Sequence, residues 1–180
     1  MQIFISILKG INVGGQKRIL MADLKTLYES LQLKDVITYI QSGNVVFKSD
    51  GTFPDIEIAK KIEKAIDVKY GFQVPVIIRT KKELQKIISD NPFLKNKSID
   101  VKKLHVTFLS GKPFKINVES IEETNFSPDE FVIQGKEIYL HIPESYGETK
   151  LSNNFFEKKL KVSATTRNWN TVNKLLEASG

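Results

Sequence analysis

The chain alternates between two hydrophobic periods, and the order of that alternation is the feature that most limits its fold. A nearly continuous apolar run, Ile3 to Leu8, predicts a buried strand. An apolar stripe at helical spacing begins near Met21. Two strands joined at Ser42-Gly43-Asn44, a helix over residues 54–70 and a strand over residues 74–78 follow. The order strand, helix, strand, strand, helix, strand is that of a ferredoxin-like unit.

The same order returns in the second part of the chain. Strands are predicted over residues 104–109, 131–133, 138–142 and 162–165, with helices over 118–123 and 151–160 and a closing helix that carries Val172, Leu175 and Leu176. We therefore expect an α+β protein of two tandem ferredoxin-like (β-α-β-β-α-β) halves with a C-terminal helix. The expected boundaries are residues 1–80 for the half with the glycine-rich loop, 81–100 for a helix and linker, and 101–180 for the second half and closing helix.

Composition narrows the classes of function. The chain has no cysteine and two histidines, which excludes disulfides, thiolate nucleophiles and cysteine-ligated metals, and we expect no metal and no cofactor. No apolar run approaches the ~20 residues that a membrane span needs, and the N-terminus lacks a basic leader, so we expect no membrane association and a cytoplasmic protein. A net charge of +6 and a pI near 9.3 favour anionic partners such as a nucleotide or nucleic acid. The alternative is a lysine-rich surface with no such role.

The connection from Lys9 to Arg18, which we call the glycine-rich loop, is the strongest candidate for a site. It is nearly twice as long as the about 2–6 residues that usually join a strand to a helix. The residues Gly14 and Gly15 precede Lys17 and Arg18, so backbone N–H groups and two cations could face one phosphate. The loop matches neither the P-loop nor the dinucleotide-binding glycine pattern. Its glycines could also satisfy local geometry alone.

A right-handed crossover would bring this loop to the same sheet edge as the predicted hairpin at residues 41–44. That edge would gather glycine N–H groups, cations and amide side chains into a pocket for an anion or nucleotide. The predicted ligand-binding residues there are Lys9, Asn12, Gly14, Gly15, Lys17, Arg18, Gln41, Ser42 and Asn44.

A second candidate lies before the closing helix, at Arg167 and Asn168. Either Thr166 or Asn168 can cap this helix. An arginine at a helix N-terminus opposes the helix dipole, unless it shares a bound anion with the free N–H groups. Alternatively, the arginine stem covers Trp169 or its head pairs with a carboxylate.

Four side chains of the second half could share an open sheet face. His105 and Thr107 alternate with apolar neighbours, and so do Tyr139 and His141. Such a face could stack bases, or it could pack against other parts of the chain. No catalytic serine motif and no convincing nucleophile–base set is present, so the sequence carries no recognisable catalytic signature.

Three long motifs resemble one bacterial family. Residues 8–15, 38–47 and 165–172, together with Ile78-Arg79-Thr80 and Asn91-Pro92-Phe93, are similar to the family called domain of unknown function 1697. The resemblance implies a single unit of two ferredoxin-like halves and no assigned function. The chain departs from the family at Lys9, where arginine is usual, and at Lys161, where glycine is common. Lysine at position 9 keeps the charge but loses the forked geometry of arginine.

We therefore expect a protein that binds a phosphorylated ligand, either a nucleotide or nucleic-acid phosphate, at the basic glycine-rich loop. Two alternatives stay open. One is a small enzyme that acts on an anionic metabolite, and the other is a module that docks a protein partner. Salt-sensitive binding of nucleotides or nucleic acid would favour the first reading. Turnover of a metabolite would favour the enzyme, and a stable protein complex would favour the docking module.

Overall fold

Eight strands and six α-helices form, and the structure describes residues 1–180 throughout. In this computed structural model they run in the order β1 (Gln2–Leu8), α1 (Met21–Ser30), β2 (Lys34–Tyr39), β3 (Asn44–Ser49), α2 (Asp55–Tyr70), β4 (Val76–Thr80), α3 (Lys81–Ser89), β5 (Leu104–Leu109), α4 (Lys115–Glu122), β6 (Glu130–Gln134), β7 (Glu137–His141), α5 (Asn153–Leu160), β8 (Ala164–Asn168) and α6 (Trp169–Ala178). The protein is a mixed α+β structure with two four-stranded antiparallel sheets and six helices.

The chain divides into two compact units, residues 1–86 with 174–180 and residues 87–173. Within the first, the Lys81 ammonium donates to the Ser179 carbonyl at 3.3 Å. These units differ from the predicted boundaries, because residues 174–180 belong with the first unit. Boundaries drawn from the order of predicted elements do not reveal that residues 174–180 pack with the first unit.

The first sheet has the strand order β2-β3-β1-β4, so β1 lies between β3 and β4 and is antiparallel to both. One face carries Phe4 and Phe47, whose stacked rings have centroids 5.7 Å apart. The buried Tyr28 of α1 packs edge-on against Phe47, and its hydroxyl hydrogen-bonds the Ser6 hydroxyl at 2.8 Å. The apolar stripe predicted for α2 is also buried in this core, at Ile58, Ile62 and Ile66. The helical spacing in the sequence therefore marks the core side of both helices.

The second sheet repeats this arrangement in the order β6-β7-β5-β8. The repeat extends to single hydrogen bonds of the backbone. Leu8 N–H donates to Gly43 in the first unit, as Leu109 N–H donates to Lys136 in the second, at 2.8 and 2.9 Å. The N–H of the following residue, Lys9 or Ser110, donates to a carbonyl in the connection before the last strand, at Pro75 or Ser163. The units therefore share a backbone pattern that residue identities alone do not reveal.

Both last strands, β4 and β8, begin two residues later than predicted. The predicted strands began at Val74 and Val162, because apolar β-branched residues are enriched in strands. Each valine instead packs against its unit's core from the preceding connection. Burial and strand pairing are separate properties, and only burial is encoded in the hydrophobicity of these two residues.

The four side chains that the sequence suggested for one face of the second sheet do not share a face. The β5–β7 register places His105 opposite Leu140 and Val106 opposite Tyr139. Since directly paired residues share a face, His105 and Tyr139 lie on opposite faces. The His105 ring stacks on Tyr146 with centroids 4.7 Å apart, and burial lowers the pKa of His105. The alternation of side chains within each strand was predicted correctly. Alternation does not determine which residues of two neighbouring strands pair and therefore share a face.

The end of α5 gives a test of backbone strain. Lys161 adopts a left-handed conformation (φ 60°), and its N–H donates to the Glu157 carbonyl at 3.0 Å. Because glycine adopts this conformation without a Cβ penalty, we expect Lys161→Gly to raise the free energy of unfolding by about 1 kcal/mol. Urea denaturation measures the change. The matched control Lys159→Gly, inside the helix, should lower stability by about 1 kcal/mol. Destabilisation by Lys161→Gly would contradict the argument.

None of the helices combines the length and the hydropathy required to cross a membrane.

Candidate functional site

The glycine-rich loop folds as a miniature hairpin. Asn12 N–H donates to the Lys17 carbonyl at 3.2 Å, and Gln16 N–H donates to the Val13 carbonyl at 3.0 Å. The two central residues, Gly14 and Gly15, have φ values of 57° and 75°. A tight turn with positive φ at both central positions favours glycine at each, so local geometry accounts for this pair.

The side chain of Asn12 joins this loop to two other segments. Its amide nitrogen donates to the carbonyls of Ile19 and Gln41, at 2.9 and 2.8 Å. Its amide oxygen accepts from Ile19 N–H at 2.9 Å. Both amide hydrogens are therefore engaged within the chain. Asn12, predicted to bind a ligand, holds the loop against the β2–β3 turn (residues 40–43).

The loop and the β2–β3 turn meet at one end of the first sheet, and an aliphatic side chain lies between them. Gly43 accepts a hydrogen bond from Leu8 N–H, and its α-carbon faces the Ile11 side chain. Ile11 is only 1% exposed. Asn44 is also buried, and its amide donates to the Tyr39 carbonyl and the Ser42 hydroxyl, both at 3.0 Å. The exposed part of this region is therefore the outer face of the loop, and Ile11 occupies the interval where a concave pocket was expected.

A third connection, between α2 and β4, reaches the same end of the sheet. Lys9 N–H donates to the Pro75 carbonyl at 3.0 Å, and the Lys17 ammonium donates to the Gln73 carbonyl at 2.7 Å. This segment was not among the predicted site residues. The signal was available, since β4 runs antiparallel to β1 and must therefore begin where β1 ends.

Beside this connection lies a cleft of about 350 Å³, which we call the α2–β4 cleft, and its lining carries two lysines and two carboxylates. Its lining residues are Lys60, Glu63, Lys64, Asp67, Gln73, Val74 and Pro75. Glu63 accepts a hydrogen bond from Val76 N–H at 2.8 Å, so its carboxylate is held against the backbone. Lys60 and Lys64 are exposed, and Lys17 reaches the edge of the cleft through its bond to Gln73.

Of the residues predicted at this end of the first sheet, those that face solvent are Gly14, Gly15, Arg18 and Gln41. The turn is open, since a Cβ added at either glycine would meet nothing within 4 Å. Lys9, Lys17 and Ser42 are partly buried. The exposed surface of the loop thus carries the glycine turn and Arg18, beside the partly buried Lys17.

Arg167 and Asn168 belong to the second unit. Asn168 accepts a hydrogen bond from Thr171 N–H at 2.8 Å, which confirms it as the cap of α6. Arg167 is buried and donates to the Thr165 hydroxyl and the Thr166 carbonyl, at 3.0 and 2.9 Å. Burial lowers the pKa of its guanidinium to about 10, partly offset by Tyr146. The Nη1 group of Arg167 thus donates to the side chain and backbone of its own strand.

No group of three or more His, Asp or Glu side chains is arranged to hold a metal ion.

Among the comparisons with known proteins, a solved structure shows the fold and a family model shows the family. The structure of the conserved bacterial protein SP0830 from Streptococcus pneumoniae is similar over 99% of both chains, with a TM-score of 0.77 and 20% identity. No curated protein matched the chain. The family model described as protein of unknown function (DUF1697) matches residues 1–139, and the chain belongs to that family.

Proposed function

We propose that the protein binds the phosphate backbone of nucleic acid through the outer face of the glycine-rich loop and the exposed lysines at the rim of the adjoining α2–β4 cleft. The observation that carries this proposal is the exposed Gly14-Gly15 turn followed by Lys17 and Arg18, with Lys17 at the edge of a cleft lined by Lys60 and Lys64. Backbone N–H groups and lysine or arginine side chains are the usual partners of nucleic-acid phosphates.

The charges support an extended polyanion over a single enclosed nucleotide. Ile11 occupies the interval between loop and turn, and the amides of Asn12 and Asn44 are engaged within the chain. The cations instead lie on open surface, where each contact is weak in water. A nucleic-acid strand with many phosphates gains binding free energy from several such contacts at once, because each neutralised phosphate releases counterions.

The contacts of the basic residues are compatible with this role. Lys17 uses one of its three hydrogens on Gln73, which leaves two for a phosphate. Arg18 is exposed and offers its guanidinium fork to phosphate oxygens. Glu63 and Asp67 both lie among the lining residues and would repel a nucleic-acid strand that entered the cleft deeply, so the proposed path runs along the rim.

The test is fluorescence anisotropy of single-stranded RNA and DNA over a salt series. We expect binding at low salt, and we expect the double variant Lys17→Gln/Arg18→Gln to reduce the slope of log K against log salt by roughly 1.4. The variant Lys34→Gln/Lys61→Gln removes the same charge at the other end of the first sheet and should leave the slope nearly unchanged. Absence of binding at low salt, or equal loss in both variants, would overturn the proposal.

We also propose that each unit is a ferredoxin-like β-α-β-β-α-β unit, the two arranged in tandem. The support is the strand order, which places the first strand of each unit between its third and fourth strands. The shared backbone hydrogen bonds of the two units support the same reading.

A further inference from the structure

A second cavity lies at the opposite end of the first sheet from the glycine-rich loop. It measures about 380 Å³, which is within the range of roughly 300–1,000 Å³ typical of small-molecule sites. We call it the α1–α2 cavity, since it opens between the end of α1 and the first turns of α2. Its lining residues are Met1, Leu31, Gln32, Leu33, Lys34, Ser49, Asp50, Phe53, Ile58, Lys61 and Ile62.

The inner wall of this cavity is apolar. Leu33, Ile58 and Ile62 form its floor and belong to the core of the first unit, at 8%, 3% and 0% exposure, so the apolar surface that a ligand can reach is that of Leu31 and Phe53. Phe53, by contrast, is 40% exposed. An apolar wall of this kind favours a ligand with a hydrocarbon or aromatic body and disfavours a sugar or a polyphosphate, whose polar groups would lose water without gaining partners.

Two cations line the outer part of the cavity. The Lys61 ammonium lies 3.0 Å from the centroid of the Phe53 ring, and Lys34 is exposed with no ion pair inside the chain. Asp50 is the one carboxylate of the lining, and its oxygen accepts from Thr52 N–H at 3.0 Å. The cavity therefore combines an apolar interior with a net positive rim.

We propose that the α1–α2 cavity binds a small amphipathic monocarboxylate, an aliphatic or aromatic acid. Its hydrocarbon body lies against Leu31 and Phe53, above the buried floor that Leu33 and Ile58 form. Its carboxylate lies at the rim between Lys34 and Lys61, where charge-assisted hydrogen bonds replace part of its hydration. This site is independent of the nucleic-acid proposal, because the two involve different residues at opposite ends of the sheet.

The experiment titrates the full chain with octanoate, octanol and octylamine, followed by amide chemical shifts and by calorimetry. We expect octanoate to bind best, octanol to bind more weakly and octylamine to bind least, with shifts centred on Leu33, Phe53 and Ile58. The variant Lys61→Met keeps the apolar stem and should weaken octanoate about fivefold while leaving octanol unchanged.

Two variants serve as controls. Lys60→Met changes a residue of the same helix that faces the α2–β4 cleft, and Lys17→Gln/Arg18→Gln removes charge at the other end of the sheet. Both should bind octanoate as the unmodified chain does. The proposal is overturned if octanoate produces no shifts at the lining residues, if octylamine binds as tightly as octanoate, or if Lys60→Met weakens octanoate as much as Lys61→Met.

Discussion

Replacing Gly43 by alanine is expected to lower the free energy of unfolding by about 3 kcal/mol. Gly43 has a φ of 81°, and a Cβ built there would lie 2.6 Å from Ile11 Cδ1 and 2.9 Å from Leu8 Cβ. Both neighbours are buried, so neither can move away without disturbing the core. The substitution therefore adds crowding to backbone strain. Chemical denaturation of the purified variant measures the sum.

A second glycine separates the two contributions. Gly51 has the same φ of 81°, but a Cβ there would meet only Gln2 Oε1, at 4.0 Å. Gly51→Ala should therefore cost only the strain, about 1 kcal/mol. Ile11→Ala should make room for the new methyl group, so Gly43→Ala should cost less in that background. A Gly43→Ala variant no less stable than Gly51→Ala would contradict the close packing of loop and turn.

The features that the sequence predicted well are those with a local physical cause. Apolar residues at helical spacing indicated α1 and α2, because a helix buries one stripe whatever its tertiary neighbours are. Gly71 was expected to end α2, and it adopts the left-handed conformation (φ 74°) that a glycine makes easy. Asn168 was one of two expected caps for α6, and its side chain accepts the capping hydrogen bond. Each of these signals lies within a few residues of its consequence.

The features that the sequence could not supply depend on partners distant along the chain. Asn12 carries a polar amide in a basic loop, which suggested a ligand, but its partners include Gln41, 29 residues away. Ile11 looked like a loop residue, yet it packs against Gly43. His105 and Tyr139 alternate as polar positions should, but only the β5–β7 register decides which faces they occupy. Polarity alone does not reveal whether a side chain binds a ligand or its own backbone.

Replacing Asn12 by alanine is expected to lower the free energy of unfolding by about 3 kcal/mol, since the amide makes three hydrogen bonds that contribute about 1 kcal/mol each. Alanine also tolerates the observed φ of 55° less well than asparagine does. Chemical denaturation measures the loss. Native-state hydrogen exchange should show Ile19 N–H exchanging faster, because that group loses its acceptor on Asn12.

Two further variants decide whether the amide or the backbone is responsible. Asn12→Gly relieves the strain at position 12 but removes the same hydrogen bonds, so it should still lose about 2 kcal/mol. Gln32 is a second non-glycine residue at positive φ (65°), and its side chain is exposed and makes no hydrogen bond. Gln32→Ala should therefore change stability by less than about 0.5 kcal/mol. If Asn12→Gly were as stable as the unmodified chain, the amide would not be what holds the loop to the β2–β3 turn. Asn12 would then again be available as a ligand-binding residue.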